Sequence, residues 1–99
     1  MDIQYKTKKL RVICTSAYEA RKKYGEEMAD IIQQRIQEIG SADTVAVMVK
    51  YRIGRCHKLK GNRSGQYAVD LIQPHRLVFT VEKETVEIAI IEEIVKDYH

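Results

Sequence analysis

The stretch that decides the fold is residues 16–40, SAYEARKKYGEEMADIIQQRIQEIG. It opens with Ser16 and, three residues later, Glu19, which is the pattern of a capping box at the start of a helix. Apolar residues then recur at intervals of three and four, so that they share one helical face. They are Ala17, Ala20, Tyr24, Met28, Ile31, Ile32, Ile36 and Ile39. The pattern predicts an amphipathic helix that Gly25 kinks or divides and that Gly40 caps.

The segments on either side of this helix are less decisive. Residues 7–14 fit a helix or a strand, because their apolar residues can be grouped at helical spacing or at alternate positions. Residues 44–50, TVAVMVK, are rich in β-branched residues and alternate, which favours a strand and leaves a helix open. For both segments, helix and strand remain open.

The second half of the chain has the pattern of a sheet. Short segments at 55–60, 66–73 and 76–81 are joined by a Gly-rich connection and by a turn at Pro74-His75. A last apolar segment, 86–95, completes the set. Connections this short suit antiparallel hairpins. We therefore predict an α+β fold in which N-terminal helices pack on a small antiparallel β-sheet, as one domain over residues 1–99.

Composition restricts the classes of protein to consider. With 44% hydrophobic and 31% charged residues, the chain resembles a soluble globular domain. No apolar run is long enough to span a bilayer, and the first residues do not resemble a signal peptide. We interpret Cys14 and Cys56 as reduced thiols. These features predict a cytoplasmic protein with no membrane association.

Positive charge is dense in the first quarter of the chain and in a block at residues 50–63. Residues 50–63, KYRIGRCHKLKGNR, contain six Lys or Arg, one His and no acid, whereas the net charge of the chain is only +3. A block of one sign attracts polyanions over about 8 Å at physiological salt. Within it, Arg55, Lys58 and Arg63 are expected to bind RNA phosphates. The block therefore points to a nucleic acid substrate.

The histidines supply the candidates for chemistry. We interpret His75 as an exposed turn residue, His57 as part of the basic block, and His99 as a group held near the sheet by the preceding strand. Cys56 and His57 are neighbours on a predicted strand and point to opposite faces, so no metal site is expected. The sequence has no Gly-rich phosphate loop either, and no cofactor is expected. Histidine beside cations suits RNA cleavage by the 2′-hydroxyl, with proton transfer by the imidazole and charge stabilisation by Lys and Arg.

Several motifs resemble a known family. Residues 56–71, CHKLKGNRSGQYAVDL, resemble the central motif of the HigB, or plasmid maintenance killer, toxins of the RelE/ParE superfamily. Residues 76–79, RLVF, resemble the R-[LI]-x-F strand of that family, and residues 97–99 resemble its D-Y-H terminus. Residues 24–26, YGE, also resemble it. The similarity therefore extends over nearly the whole chain.

The resemblance implies a RelE-like fold and the toxin of a type II toxin–antitoxin pair. Such a toxin is a metal-independent endoribonuclease that cuts mRNA on the ribosome, and its partner is a cognate antitoxin, expected to be a helix-turn-helix protein. The residues that match the family's catalytic groups are His57, Lys60, Arg76, Asp97, Tyr98 and His99. Strict strand alternation would place Lys60 on the opposite face from His57. The family also favours helices at 7–14 and 44–50.

Two alternatives remain open. A ParE-like protein poisons DNA gyrase with the same fold, but it lacks the histidine pair formed here by His57 and His99. A degenerate toxin would bind its antitoxin without cleaving RNA. The products of the reaction distinguish all three.

Overall fold

The computed structural model describes residues 1–96, in which helices cover one face of a five-stranded sheet. The helices are α1 (Lys8–Thr15), α2 (Ala17–Tyr24), α3 (Glu26–Ser41) and α4 (Val45–Lys50). The strands are β1 (Asp2–Tyr5), β2 (His57–Lys58), β3 (Gln66–Asp70), β4 (His75–Lys83) and β5 (Glu87–Lys96). Short 3-10 turns occupy Ile53–Arg55 and Gly61–Arg63. This arrangement confirms the predicted α+β class.

The sheet is mixed rather than wholly antiparallel. Its strand order is β1-β5-β4-β3-β2, and the first pair is parallel, with Asp2 opposite Ile88 and Tyr5 opposite Ile91. The sequence did not predict β1, because four residues at the start of the chain carry too little alternation. The ammonium group of Met1 donates to the carbonyl oxygens of Ile39, Gly40 and Ala42. These bonds fix β1 against the end of α3.

The long helical stretch divides at Gly25, as predicted. Gly25 has a φ of 91° and lies between α2 and α3. Ser16 Oγ accepts a hydrogen bond from Glu19 N at 3.3 Å, so the predicted cap of α2 is present. The predicted cap at Gly40 is wrong, since α3 ends at Ser41 and its C-cap residue is Ala42. The Met1 ammonium binds the terminal carbonyls there, and a cation at a helix C-terminus is favourable without a glycine cap.

Both ambiguous segments are helical. In α1, Thr7 Oγ1 accepts from Leu10 N at 3.1 Å. In α4, a carboxylate oxygen of Glu87 accepts from Val45 N at 2.9 Å, and this partner lies on β5. The strand favoured by propensity at 44–50 is therefore wrong. Tertiary capping and the burial of Val45 and Met48 outweigh the preference of β-branched residues for strands.

Two further predictions about the second half need correction. The strand expected at 55–60 is limited to His57–Lys58, because Arg55 has a φ of 55° that no strand accommodates. His75 is not an exposed turn residue: it opens β4, is half-buried, and its ring meets the Tyr24 ring edge-on at 5.9 Å.

The core lies between the helices and one face of the sheet. The fully buried residues of the helices include Ile32, Ile39 and Met48, and those of the strands include Leu77, Phe79 and Ile91. Among the helices of residues 1–96, none combines the length and apolar character that a membrane span needs. With one face of the sheet covered by helices, the opposite face is available to carry a site.

Candidate active site

Two of the predicted site residues, His57 and Arg76, lie on the sheet face that points away from the helices. Asp70 on β3 is opposite Arg76 on β4, and His57 on β2 is opposite Ala68 on β3. Residues two apart on a strand share a face. Since Ala68 and Asp70 are two apart, His57 and Arg76 occupy neighbouring rows of the same face.

A polar cleft of about 680 Å³ opens beside these rows. It is lined by Val49, Arg52, Arg55, Cys56, His57, Asp70, Gln73 and Arg76. Three arginines and a histidine therefore surround a space that contains one carboxylate. We refer to it as the histidine cleft. Its charge suits an anionic substrate.

The orientation of His57 follows from one hydrogen bond. Its Nδ1 lies 2.9 Å from the carbonyl oxygen of Arg55. A carbonyl oxygen can only accept, so Nδ1 carries the proton and donates it. In the neutral imidazole, Nε2 is then the nitrogen with a free lone pair. This hydrogen bond therefore favours, for a neutral imidazole, the tautomer that can accept a proton at Nε2.

The turn that precedes His57 has an unusual backbone. Arg52, Gly54 and Arg55 have φ values of 52°, 60° and 55°. In this left-handed region a residue with a Cβ costs about 1–2 kcal/mol relative to the right-handed one. Non-glycine residues held in such conformations cluster at functional sites, where the surrounding structure maintains them. The turn therefore holds two arginines of the histidine cleft in a conformation that other contacts must stabilise.

A second, smaller cleft adjoins the first and shares Arg76 with it. It has a volume of about 250 Å³ and is lined by Leu59, Lys60, Arg63, Arg76, Val78, Val95 and Lys96. Because β2 ends at Lys58, strict alternation does not extend to Lys60. Lys60 therefore comes to the same side as Arg76, contrary to the expectation from alternation. We refer to this space as the lysine cleft.

The acidic residues of β5 are engaged within the fold. Glu93 pairs with Arg63 at 2.7 Å. Glu92 pairs with Lys6 at 3.4 Å and accepts from Thr80 Oγ1 at 2.9 Å. Together with Glu87, which caps α4, these acids serve contacts of the fold itself.

The thiol of Cys56 lies in the wall of the histidine cleft but is unsuited to nucleophilic attack. Burial raises the pKa of Cys56 to about 11 and that of Cys14 to about 12. A thiol with such a pKa remains protonated at neutral pH, and the thiolate is the reactive form. No group of three His, Cys, Asp or Glu side chains within residues 1–96 could hold a metal ion.

The structure brings together only part of the predicted set. His57, Arg55 and Arg76 share the histidine cleft, while Lys60, Arg63 and Arg76 share the lysine cleft. Lys58 lines neither cleft, and strand alternation places it on the helix side of β2. The predicted Asp97, Tyr98 and His99 lie outside the described residues.

Three residues of the histidine cleft were missed by the sequence reasoning. They are Arg52, Asp70 and Gln73. Arg52 belongs to the basic block, and that membership was the available signal. Asp70 lies inside the motif at 56–71, but it is not among the matched catalytic groups, and Gln73 has no distinctive spacing.

An apolar groove lies between α1 and α2, apart from both clefts. It is lined by Lys8, Lys9, Val12, Ile13, Glu19, Lys22 and Lys23, with a volume of about 620 Å³. It shares no lining residue with the histidine cleft. It contains no histidine, so it does not offer the proton-transfer chemistry of the histidine cleft.

Solved structures with the same fold include toxins and a complex. One, described as a YoeB/ParE toxin from Agrobacterium tumefaciens, has a TM-score of 0.63 and 17% identity, with 99% of this chain and 100% of that chain covered. Another, a YoeB-YefM complex from Staphylococcus aureus, has a TM-score of 0.62 and 21% identity, with 99% and 98% covered. No protein-family model and no curated protein matches the chain. At these identities the similarity establishes the fold alone.

Proposed function

We propose that this chain, which has the fold of the YoeB/ParE toxins, is the toxin of a type II toxin–antitoxin system and cleaves mRNA on the ribosome. One observation carries the proposal: His57, whose Nδ1 is bonded to the Arg55 carbonyl oxygen, lines a cleft together with Arg52, Arg55 and Arg76. RNA cleavage through the 2′-hydroxyl requires a base that removes the hydroxyl proton and cations that stabilise the charge on the phosphorane. The motif resemblance supports the finer assignment to the HigB type.

In the proposed reaction, His57 Nε2 removes the proton of the 2′-hydroxyl. The 2′-oxygen then forms a bond to the adjacent phosphorus, and the bond from phosphorus to the 5′-oxygen breaks. Arg76 and Lys60 stabilise the charge that accumulates on the phosphorane, since such groups act best where charge develops. The leaving 5′-oxygen takes a proton from an acid, a role that the resemblance gives to the Asp97-Tyr98-His99 segment.

The proposed partners are the ribosome with its mRNA and a cognate antitoxin. One structural neighbour is a complex between YoeB and YefM. By analogy, a second protein would inhibit this chain. A small helix-turn-helix protein encoded in the adjacent reading frame would identify it.

The test is cleavage of mRNA on programmed ribosomes by the wild type, His57→Ala and His99→Ala. We expect each variant to lose at least about a hundredfold in rate, which is in the range that general acid–base groups contribute. His75→Ala is the matched control, because His75 lines neither cleft. Thermal melting of every variant shows whether the fold is retained. Full activity of His57→Ala would remove this histidine from the reaction.

The chemistry of the fragment ends provides a second test. Attack by the 2′-hydroxyl leaves a 2′,3′-cyclic phosphate, or its hydrolysed monophosphate, upstream and a 5′-hydroxyl downstream. A downstream 5′-phosphate would contradict the mechanism. Intact mRNA together with trapped gyrase–DNA breaks would assign the chain to the gyrase poisons, and intact mRNA without breaks would indicate a degenerate toxin.

A further inference from the structure

A buried carboxylate in a cleft for an anionic substrate requires an explanation. Asp70 is 9% exposed and is the only buried charged residue within residues 1–96. A carboxylate in this position repels phosphate and is costly to desolvate unless it is paired. If the histidine cleft only had to bind RNA, a neutral residue would serve better at position 70.

The partners of Asp70 join three parts of the site. Its Oδ2 lies 3.3 Å from Arg55 Nε and accepts from Gln73 Nε2 at 3.3 Å. Its backbone carbonyl accepts from Arg35 Nε on α3 at 2.7 Å. The same Arg35 side chain packs under Gly54, where an added Cβ would lie 2.8 Å from Arg35 Cδ. The strained turn at Ile53–Arg55 is therefore held to β3 from both sides.

Arg55 connects this arrangement to the base. Its guanidinium meets Asp70, its backbone is left-handed, and its carbonyl accepts the Nδ1 proton of His57. The Arg55 side chain is 81% exposed, so the ion pair adds little to global stability. The ion pair instead joins the Arg55 side chain to Asp70 on β3, while the carbonyl of the same residue faces the imidazole.

We infer that Asp70 is a positioning residue, which fixes Arg55 and thereby holds His57 in the tautomer with Nε2 free to accept a proton. The role in catalysis rests on the proposed function, whereas the tautomer itself does not. Loss of the carboxylate should lower the rate at saturation without weakening binding. If Asp70 affected binding alone, its removal would raise affinity by making the cleft more positive and would leave the rate at saturation unchanged.

The catalytic test compares Asp70→Asn with Arg55→Gln and with the double variant in single turnovers at saturating ribosomes. We expect Asp70→Asn to lose on the order of tenfold in rate, since small displacements of catalytic groups are costly, with equal or tighter binding. Because Asp70 acts through Arg55, the double variant should be no slower than Arg55→Gln alone. An unchanged rate for Asp70→Asn, or two effects that multiply, would overturn the inference.

Matched controls keep the result interpretable. Asp30→Asn removes one negative charge from an exposed position of α3 that lines neither cleft, and it should leave the rate unchanged. Arg52→Gln removes a cation from the same cleft, but Arg52 is not the arginine that pairs with Asp70, so this change should weaken binding more than the rate at saturation. If Asp70→Asn does not fold, the rates of Arg55→Gln and Arg52→Gln are compared instead, since both side chains are exposed and their replacement should leave the fold intact. Only Arg55→Gln should lower the rate at saturation, and equal rates would overturn the inference.

A spectroscopic measurement separates this inference from the proposed function. The ¹⁵N resonances of His57, recorded at a pH where the imidazole is neutral, reveal which nitrogen carries the proton. We expect Nδ1 to be protonated in the wild type and a mixture of tautomers in Asp70→Asn. An identical tautomer in both proteins would overturn the inference even if RNA is cleaved. An inactive wild type with the expected tautomer change would instead contradict only the proposed function.

Discussion

Gly54 is the residue on which the turn before His57 depends most directly. It has a φ of 60°, and a Cβ at this position would lie 2.8 Å from Arg35 Cδ. Gly61 has a nearly equal φ of 64° and nothing within 4 Å of an added Cβ. The two glycines therefore share the backbone requirement and differ only in what surrounds them.

This difference leads to a prediction for two matched variants. Gly61→Ala should cost about 1 kcal/mol in free energy of unfolding, the cost of a left-handed residue with a Cβ. Gly54→Ala should cost about 1 kcal/mol more, because Arg35 must move and lose its bond to the Asp70 carbonyl. Urea unfolding of both variants measures the costs. Equal unfolding free energies for the two variants would show that the Arg35 side chain can move away from the new Cβ without a cost in stability.

The buried thiols predict how stability depends on pH. The pKa of Cys14 is raised to about 12 and that of Cys56 to about 11 in the folded protein. As pH rises past about 9, thiols of the unfolded chain lose protons while those of the folded protein retain them, so stability falls. The urea midpoint should therefore be lower at about pH 10 than at about pH 8.

The control for this prediction removes both thiols. In Cys14→Ala/Cys56→Ala the decrease between the two pH values should be smaller. Part of it should remain, because burial also raises the pKa of Tyr5 and Tyr24. A decrease of the same size in the double variant would show that the thiols are not its cause.

At the scale of elements, the turn at residues 52–55 places Arg52 and Arg55 at the histidine cleft in a left-handed backbone conformation that lowers the stability of the fold. Arg52 has a φ of 52° and a ψ of 40°, a conformation that glycine adopts without strain. Arg52→Gly should therefore stabilise the fold by about 0.5–1 kcal/mol while weakening RNA binding. Arg52→Gln, which loses the charge and keeps the Cβ, should weaken binding without any gain in stability. Thermal melting and ribosome binding measure the two effects, and a destabilised Arg52→Gly would contradict the strain argument.

The elements also show where sequence reasoning succeeds. The helix over 16–40 could be predicted because its cap, its apolar spacing and Gly25 are all local signals. The helix α4 could not be predicted from propensity, since one of its capping partners is Glu87, which is distant in sequence. The length of β2 was overestimated, because no local sequence pattern indicates that Arg52 and Arg55 adopt a left-handed backbone conformation.

The candidate site divides in the same way. His57, Lys60 and Arg76 could be identified because the motifs that contain them are contiguous in sequence. Asp70 lies in the same motif as His57 and Lys60, but its role could not be predicted, because Arg35 and Arg55 meet it only in the folded chain. The predictions for Asp97, Tyr98 and His99 stay predictions.

At the scale of the whole molecule, positive charge occurs on two separate surfaces. The clefts contain Arg52 and Lys60, while Lys22 and Lys23 lie at the groove between α1 and α2. Equal numbers of charges can thus be removed from either surface. If the clefts bind RNA, only their cations should contribute counterion release.

The prediction compares Arg52→Gln/Lys60→Gln with Lys22→Gln/Lys23→Gln. For the cleft pair, the slope of log affinity for single-stranded RNA against log salt should decrease by about 0.7 for each phosphate that the variant no longer neutralises. The groove pair should retain the wild-type slope. Titrations of a labelled oligonucleotide at several salt concentrations give both slopes. Equal decreases in slope for the two variants would mean that RNA binding depends on the overall charge of the protein and not on the cations of the clefts.

The parallel pairing of β1 with β5 has a consequence for how the chain folds. Asp2 meets Ile88 only after the helices and the three other strands have been passed. Contacts so distant in sequence carry a high loop-closure entropy and slow the folding of sheets. During synthesis, α1, α2 and α3 can form as soon as they emerge, whereas the sheet must wait for β5. The clefts lie on that sheet, so a nascent chain would acquire them only after β5 has left the ribosome.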